Sequence, residues 1–327
     1  NGRILGAWSG VGRPEEAVTL KQGLAAKLGE RVKIYAAAGC GFHSDDESGF
    51  REALEAAAAA EAVVLALGEE DAMSGEAASR AFLDLPGAQR RLAEEVLRLG
   101  KPTVLVLFSG RPLDLRWYHE RVPAILEVWF PGTEGGGAVA DLLFGDAVPS
   151  GKLTMSFPYA VGQVPVYYNS LNTGRPKGPD EGNSAHYVSK YLDIPNAPLY
   201  PFGYGLSYTE FVYSGAALDG TVLVPGGAVT AKVVVTNAGK FEGEEIVQLY
   251  VRDLWGSAAR PVLELKGFRK IRLAPGESAA VEFVITPEML AYFTPRKRYE
   301  TEPGDFKVFV GKNSRDLLEC GVLTYTG

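Results

Sequence analysis

Apolar residues follow one spacing in the first half of the chain and another in the second half. Between residues 1 and 158, short continuous apolar runs alternate with segments whose apolar residues recur every three or four positions. The continuous runs lie at residues 3–8, 32–39, 62–68, 102–110, 124–132 and 152–158. Because a strand that is covered on both faces is apolar throughout, this alternation predicts a mostly parallel sheet with helices on both sides.

The segments between these runs have the apolar spacing of amphipathic helices. They lie at residues 13–29, 47–61, 86–100 and 132–145. Pro86 stands near the start of one segment, and Gly29, Gly100 and Gly145 stand near the ends of three. Proline is favoured at the start of a helix and glycine just past its end, so these positions support the four predicted helices.

From about residue 206 the apolar residues alternate with polar ones, which is the period of a strand. Five such segments are separated by turn sequences such as APGE and EPGD, in which Pro and Gly each favour a turn conformation. The segments lie at residues 228–239, 245–254, 262–277, 278–286 and 304–314. Strands at this spacing predict a β-sandwich.

The residues between these two regions have no sustained period and are rich in Pro, Gly, Asn and Tyr. Their aromatic content is too high for a disordered linker, which lacks such residues. We therefore predict an α/β plus all-β protein with three parts. They are an α/β domain at 1–158, an ordered connecting loop at 159–205, and a β-sandwich domain at 206–327.

Charge and cysteine content exclude several classes of partner. The 327 residues include 40 acidic and 33 basic side chains, a formal net charge of −7. We therefore expect neither nucleic acid nor an anionic membrane surface as a partner, since both are bound by basic patches. Cys40 and Cys320 fall in different predicted domains, so we expect no disulfide. The first residues read like the interior of a domain, so we expect the chain to be part of a longer protein.

The loop after the third apolar run concentrates carboxylates. Its sequence, residues 69–86, is EEDAMSGEAASRAFLDLP. In parallel α/β domains, ligands bind beyond the carboxyl ends of the strands, so this loop falls at the functional edge. Gly75 permits a tight turn beside Glu76, and Ala77 and Ala78 leave space around it. A carboxylic acid in this position is suited to exchange a proton with a ligand that another surface holds.

The same spacing also fits a structural interpretation, which is the more common outcome for such a pattern. In it, Glu69 to Asp71 are solvated loop charges and Glu76 belongs to the first turn of a short helix.

A glycine-containing segment after the first apolar run resembles a dinucleotide-binding loop only weakly. Residues 9–16, SGVGRPEE, lack the full G-x-G-x-x-G pattern. Glu15 and Glu16 stand where a pyrophosphate would bind, and acidic residues at a helix start are explained by the helix dipole. We therefore predict no cofactor.

The remaining candidate chemistry is sparse. The histidines at 43, 119 and 186 are scattered, and no cysteine or second histidine lies at ligand spacing, so we predict no metal site. Ser109 lacks the G-x-S-x-G context of a hydrolase nucleophile. The tyrosines between residues 167 and 208 could stack on a sugar, but we favour packing for most of them.

Several motifs, taken together and in order, resemble glycoside hydrolase family 3, of the bacterial periplasmic β-glucosidase type. They include MSGEAASRAFLDLPGAQ, PLYPFGYGLSYTEF and RPVLELKGFRKIRLAPGE. The matching segments are residues 73–89, 129–158, 162–169, 173–176, 198–211, 233–251 and 260–277. The resemblance covers essentially the whole chain.

The resemblance implies an architecture and a set of roles. The family has an N-terminal (β/α)₈ barrel, then an (α/β)₆ sandwich, then a fibronectin type III domain, and this chain matches the last two. Glu76 would be the general acid/base of a retaining, exo-acting β-glucosidase, with Met73 and Ser74 as contacts on the aglycone side. The nucleophilic aspartate would lie on a barrel, in cis or on a separate chain, and we find no matching carboxylate in this sequence.

Further expectations follow from the resemblance. The substrate would be a β-glucoside or gluco-oligosaccharide, the location periplasmic or secreted, and a homodimer is compatible with it. Two rival hypotheses stand beside this one. The first is a non-catalytic fragment that binds carbohydrate or a partner protein. The second, a nucleotide-binding receiver-type domain, is disfavoured by the acidic residues that end the 9–16 segment.

Overall fold

The computed structural model describes residues 2–177 and 186–327. Residues 178–185 belong to the predicted connecting loop and lie outside the described residues. The chain divides into two compact units, Asn1–Ala147 with Pro158–Gly162, and Val148–Phe157 with Gln163–Gly327. The domain boundaries expected at 158 and 205 stay predictions.

The first unit contains a parallel sheet. Its strands are β1 (Val63–Gly68), β2 (Thr103–Phe108) and β3 (Ala124–Glu127), with β2 in the centre. Leu105 and Leu107 of β2 are fully buried. The central strand is apolar throughout because it lies inside the domain, and the predicted parallel α/β fold is confirmed.

The described part of the first unit contains five α-helices, and four of them fall in the segments where the apolar spacing predicts a helix. The five are α1 (Leu20–Leu28), α2 (Phe50–Ala59), α3 (Gln89–Arg98), α4 (Arg116–His119) and α5 (Gly135–Phe144). Thr19 begins α1 by accepting a hydrogen bond from the backbone of Gln22, whose side chain accepts one from the Thr19 backbone. A Cβ on Gly23 of α1 would fall 2.1 Å from the carbonyl oxygen of Gly136 in α5. Glycine therefore permits the close approach of these two helices.

Two apolar runs of the first unit do not form the strands that we predict for them. The run at 3–8 begins with a 3₁₀ turn, Gly2–Leu5, and Gly6 follows with a φ of 80°. An extended strand does not contain that conformation. The run at 32–39 has no strand pairing in the described structure, and Tyr35 is 41 % exposed. Apolar composition alone was therefore a misleading signal at both places.

The run at 152–158 is also not a strand of the parallel sheet. It belongs to the second unit up to Phe157. The Leu153 amide donates to the carbonyl oxygen of Tyr204 at 2.8 Å, and the Phe157 amide donates to that of Tyr200 at 2.8 Å. This segment therefore finds its hydrogen-bond partners in an antiparallel stretch about 45 residues later in the chain.

The second unit is a β-sandwich, as predicted. Its strands are β4 (Phe211–Leu218), β5 (Val222–Leu223), β6 (Val229–Asn237), β7 (Gly243–Asp253), β8 (Glu264–Leu273), β9 (Ser278–Ile285), β10 (Tyr292–Phe293), β11 (Tyr299–Glu300), β12 (Gly304–Gly311) and β13 (Leu317–Tyr325). One sheet has the order β5-β13-β12-β7-β8 and the other β4-β6-β9, while β10 pairs with β11. A short helix, α6 (Pro287–Leu290), follows β9. Val233 and Phe283 of one sheet join Leu249 and Val308 of the other in a single core.

Aromatic side chains pack the segment that leads into this sandwich. The ring of Tyr168 stacks on Phe202 with centroids 4.3 Å apart and meets the edge of Tyr250 at 5.9 Å. These contacts are internal to the second unit and agree with the packing role that we favour. Tyr187 is 84 % exposed, so packing does not describe every tyrosine of the segment.

Candidate functional site

Three strands end at one edge of the parallel sheet. β1 ends at Gly68, β2 at Phe108 and β3 at Glu127. Residues 69–88 then connect β1 to α3, and residues 109–115 connect β2 to α4. Ligands of α/β sheets bind outside the carboxyl ends of the strands. This edge therefore contains both the candidate acid and the side chains that could position it.

Glu76 lies at the tip of the loop that follows β1, in neither a helix nor a strand, and it is exposed. The flanking residues Gly75 and Ala77 have φ angles of 116° and 59°. A positive φ is uncommon for alanine and marks a backbone that its surroundings must hold in place. Within the described residues, the Glu76 carboxylate has neither an ion-pair nor a hydrogen-bond partner. Its charge is therefore accessible to a ligand.

Local geometry separates Glu76 from any helix. The short 3₁₀ turn Asp71–Met73 ends before it, and Ser74 already has an extended backbone. The alternative interpretation, in which Glu76 belongs to the first turn of a helix, is wrong. Gly75 also contacts its surroundings closely, because a Cβ there would lie 2.9 Å from the indole nitrogen of Trp8.

At the base of the same loop, the side chain of Glu69 is fully buried. Its Oε1 lies 2.7 Å from Nη1 of Arg80 and 3.1 Å from Nε of Arg111. The hydroxyl of Ser74 donates to the same carboxylate at 3.3 Å. A buried charge is tolerated when ion pairs and hydrogen bonds compensate it, and Glu69 has both.

Arg111 connects Glu69 to the backbone of the loop. Its Nη2 donates to the carbonyl oxygen of Ala78 at 2.7 Å and also to that of Met73. These two acceptors lie on either side of Glu76 in the sequence. One guanidinium therefore contacts the loop before and after the candidate acid.

The interpretation of the first acidic residues as solvated loop charges is wrong for Glu69 and Glu70, which are 2 % and 5 % exposed. Glu70 pairs with Arg3 and His43. Asp71 is half-buried and begins the 3₁₀ turn. The chain folds basic side chains from other parts of the sequence against the first two carboxylates, and this compensates for their burial. Spacing along the sequence cannot reveal it.

Glu127, the last residue of β3, is a half-buried residue whose carboxyl group also lies at this edge. Burial raises its pKa to about 8, while hydrogen bonds from the Trp129 amide and the Ser109 hydroxyl act in the opposite direction. Those donors lie 2.8 and 3.3 Å from Glu127 Oε1. The nearby charge of Glu69 adds to the upward shift. Glu127 is therefore largely protonated at neutral pH.

The three predicted site residues lie within four positions of one another, in the loop that follows β1. Met73 and Ser74 are half-buried and precede the exposed Glu76. Their roles stay predictions, and the Ser74 hydroxyl is engaged with Glu69. The sequence reasoning missed Glu69 and Arg111 as parts of this site. An acid at the end of one apolar run and an arginine after the next could have indicated them, because adjacent parallel strands bring their ends together.

The structure also bears on a dinucleotide-binding loop, a metal site and a membrane-spanning helix. Residues 9–16 end in a 3₁₀ turn, Pro14–Glu16, and not in the helix that a dinucleotide-binding loop opens. In the part of the chain that the structure describes, no cluster of three or more His, Cys, Asp or Glu side chains could hold a metal ion. None of the helices described is both long and apolar enough to span a membrane.

Comparison with protein families gives two matches. The description Glycosyl hydrolase family 3 C-terminal domain applies to residues 1–208, which is more than half of the chain. A fibronectin type III-like domain matches residues 245–314. The order of the two agrees with the α/β unit and the β-sandwich described above.

Curated proteins and solved structures agree with these matches. A protein named periplasmic β-glucosidase from Salmonella typhimurium is 44 % identical over 95 % of this chain and 43 % of its own length. A β-xylosidase from Formosa agariphila is 43 % identical over 98 % of this chain and 43 % of its own. A crystal structure of a β-glucosidase from Listeria innocua in complex with gluconolactone has a TM-score of 0.92 and 41 % identity, covering all of this chain and 44 % of that one.

The chain thus spans less than half the length of the curated relatives it matches. Within that span, the identity and the structural similarity extend across both units. The chain belongs to glycosyl hydrolase family 3, of which it contains the C-terminal domain and the fibronectin type III-like domain.

Proposed function

We propose that this chain supplies the general acid/base of a retaining, exo-acting β-glucosidase. Its nucleophilic aspartate would lie on a (β/α)₈ barrel segment that is not part of this sequence, joined in cis or present as a separate chain. The observation that carries the proposal is the position of Glu76. It is an exposed carboxylate without a partner in the described residues, at the ligand-binding edge of the sheet.

In the first step, the aspartate attacks the anomeric carbon of the terminal glucosyl residue while the bond to the leaving oxygen breaks. Glu76, in its protonated form, transfers its proton to that oxygen. The two carboxyl groups of a retaining enzyme lie about 5–5.5 Å apart, on opposite faces of the sugar. An acid on a projecting tip suits this geometry, because it must reach a sugar that another segment holds.

In the second step, the Glu76 carboxylate takes a proton from water. The water oxygen attacks the anomeric carbon, the bond to the aspartate breaks, and glucose leaves with its original anomeric configuration. Both steps require that Glu76 be free to gain and lose a proton. A carboxylate held in a permanent ion pair would be poorly suited to that role, and Glu76 differs from Glu69 in this respect.

The test is the Glu76→Ala variant, measured with the barrel segment present. We expect kcat for glucosides with poor leaving groups to fall by about 10²–10⁴-fold, the usual contribution of general acid–base catalysis. Activated aryl glucosides need little protonation of the leaving group, so their cleavage step should be affected far less. Added azide should accelerate turnover of these substrates, because an anionic nucleophile needs no general base.

Equal kinetics of the wild type and the Glu76→Ala variant across leaving groups would refute the proposed role. Ser79→Ala is a matched control, because Ser79 is an exposed residue of the same loop. We expect kcat of the Ser79→Ala variant, relative to that of the wild type, to be the same for poor and for activated leaving groups.

A second candidate is a non-catalytic fragment that binds carbohydrate or a partner protein. Exposed apolar side chains of the first unit favour it, namely Trp8 at 73 %, Val11 at 97 % and Phe82 at 76 %. Exposed apolar groups of this kind mark binding surfaces when they are contiguous. Calorimetric titration of this chain with glucose and cellobiose would detect carbohydrate binding. Measurable binding together with an unaffected Glu76→Ala enzyme would favour this candidate.

The proposed location is periplasmic or secreted. The name of the Salmonella relative, periplasmic β-glucosidase, supports it. Fractionation of the native cells, with immunodetection of this chain, would test the proposal, and a cytosolic signal would contradict it.

A further inference from the structure

Arg111 contacts the loop on both sides of Glu76. Its Nη2 donates to the carbonyl oxygens of Met73 and Ala78, the latter at 2.7 Å, and lies 3.4 Å from the hydroxyl of Ser74. These contacts bring the two ends of a six-residue segment to a single nitrogen atom. The segment between the acceptors contains Glu76 and its two neighbours with positive φ.

The orientation of Arg111 is itself fixed by Glu69. The Nε edge of the guanidinium faces the Glu69 carboxylate at 3.1 Å, and that carboxylate is fully buried. A guanidinium is planar and rigid, so holding one edge directs the donors at the other. Arg80 also pairs with Glu69, at 2.7 Å, but its second contact is to the carbonyl oxygen of Asp84, beyond the tip.

One backbone hydrogen bond also restrains the tip of the loop, because the Ala78 amide donates to the carbonyl oxygen of Gly75 at 3.3 Å. Residues 74–77 lie in neither a helix nor a strand. The positive φ angles of Gly75 and Ala77 give it a conformation that alanine adopts rarely on its own. A turn with this conformation needs contacts from its surroundings to hold it in place, and those of Arg111 reach both ends of the segment.

We propose that Arg111 is the positioning residue of the Glu76 loop: it ties Met73 to Ala78 so that the Glu76 carboxyl is directed at the glycosidic oxygen. This inference rests on the proposed function of Glu76 as the general acid/base. Arg111 takes no proton and contacts no substrate in this role. Its loss should reproduce the kinetic pattern of losing Glu76, in a weaker form.

The experiment compares four variants with the barrel segment present. Arg111→Gln removes the charge and the fork of donors, and Arg111→Lys keeps the charge but cannot bridge two carbonyls while facing Glu69. Glu76→Ala gives the reference pattern. Arg91→Gln is the matched control, because Arg91 also pairs with two carboxylates, those of Asp45 and Glu47, in the same unit.

The readout is the ratio of kcat on an alkyl glucoside to kcat on a dinitrophenyl glucoside, together with the effect of azide on the second substrate. This ratio does not depend on the fraction of enzyme that is folded, since both rates scale with it. We expect Arg111→Gln to lower the ratio about 10- to 100-fold, as a small misplacement of a catalytic group does. The ratio for Arg111→Lys should lie between the ratios for Arg111→Gln and the wild type. KM of both variants should change little, and azide should accelerate their turnover of the dinitrophenyl glucoside.

Four outcomes overturn the inference. Arg111 variants that slow both substrates equally and gain nothing from azide would show a merely structural role. If Arg111→Lys and Arg111→Gln have the wild-type ratio, Arg111 has no role in positioning Glu76. If Arg91→Gln changes the ratio as much as Arg111→Gln does, the effect is a general one of losing an arginine. In these three cases the Glu76→Ala pattern still supports the proposed function. If Glu76→Ala lacks the pattern, the proposed function fails and this inference fails with it.

Discussion

The loop that follows β1 has a carboxylate at its base and another at its tip, and their environments are opposite. At the base, Glu69 is buried and paired with Arg80 and Arg111. At the tip, seven positions later, Glu76 is exposed and has no partner among the described residues. The chain thus places two carboxylates in different environments at the edge of one sheet.

The two environments distinguish a carboxylate that stabilises the fold from one that is accessible for a reaction. A buried charge must be compensated, so the ion pairs of Glu69 are requirements of folding. An exposed carboxylate with no partner contributes little to stability and could be replaced without cost to the fold. Its position beyond the carboxyl end of β1 is therefore best explained by the proposed function. Three measurements of unfolding free energy test whether the carboxylates at this edge differ in this way.

The largest expected effect is at the base of the loop. Glu69→Gln leaves the charges of Arg80 and Arg111 uncompensated, and breaking a buried ion pair costs about 3–5 kcal/mol. We expect the free energy of unfolding in urea to fall by about that amount. A loss below about 1 kcal/mol would mean that the buried pairs do not hold the loop.

The next effect concerns Glu127, a half-buried residue whose carboxyl has no cationic partner in the described structure. In an unfolded chain its pKa would be about 4.3, and burial raises it to about 8 in the fold. The folded state therefore binds the proton more tightly. The contribution to stability is complete below about pH 4, declines as the pH rises towards 8, and is lost above it.

Glu127→Gln should remove this pH dependence. We expect the wild type to lose roughly 2–4 kcal/mol more unfolding free energy than the variant between pH 5 and pH 9. Urea unfolding of both proteins at the two pH values measures the difference. Parallel pH profiles would show that Glu127 is not the group that titrates.

The smallest effect is at the tip. Glu76→Gln should change the unfolding free energy by no more than about 0.5 kcal/mol, as for other exposed substitutions. The same urea experiment checks it against Glu69→Gln. A loss at Glu76 that equals the loss at Glu69 would remove the contrast between tip and base.

The sequence predicts the fold where a pattern reports burial directly. The apolar runs that include Leu65, Leu105 and Ile125 are strands of the parallel sheet, and the alternation around Val233 marks a strand of the sandwich. The run around Tyr35 has the same composition but forms no pairing in the described structure. Strand formation depends on a neighbouring strand as well as on apolar content, and a single sequence does not show the neighbour.

For the candidate site, the sequence pattern gives only positions, and the roles of the residues stay predictions. The placement of Glu76 after a buried strand, with small residues beside it, made it a candidate, and its acid/base role came from the resemblance to the family. The pairing of Glu69 with Arg111 joins residues 42 positions apart. No fixed spacing along the sequence connects them; the only signal is that each follows one of two adjacent parallel strands, β1 and β2. Burial of Glu69 and Glu70 was missed for the same reason.

The most direct measurement is the product that Glu76→Ala forms from an activated aryl glucoside in azide, with the barrel segment present. If Glu76 is the general acid/base of a retaining enzyme, the glucosyl-enzyme intermediate accumulates and azide attacks it. We expect β-glucosyl azide, identified by the coupling constant of its anomeric proton. Glucose as the sole product, formed at a rate that azide does not change, would show that Glu76 is not the general acid/base.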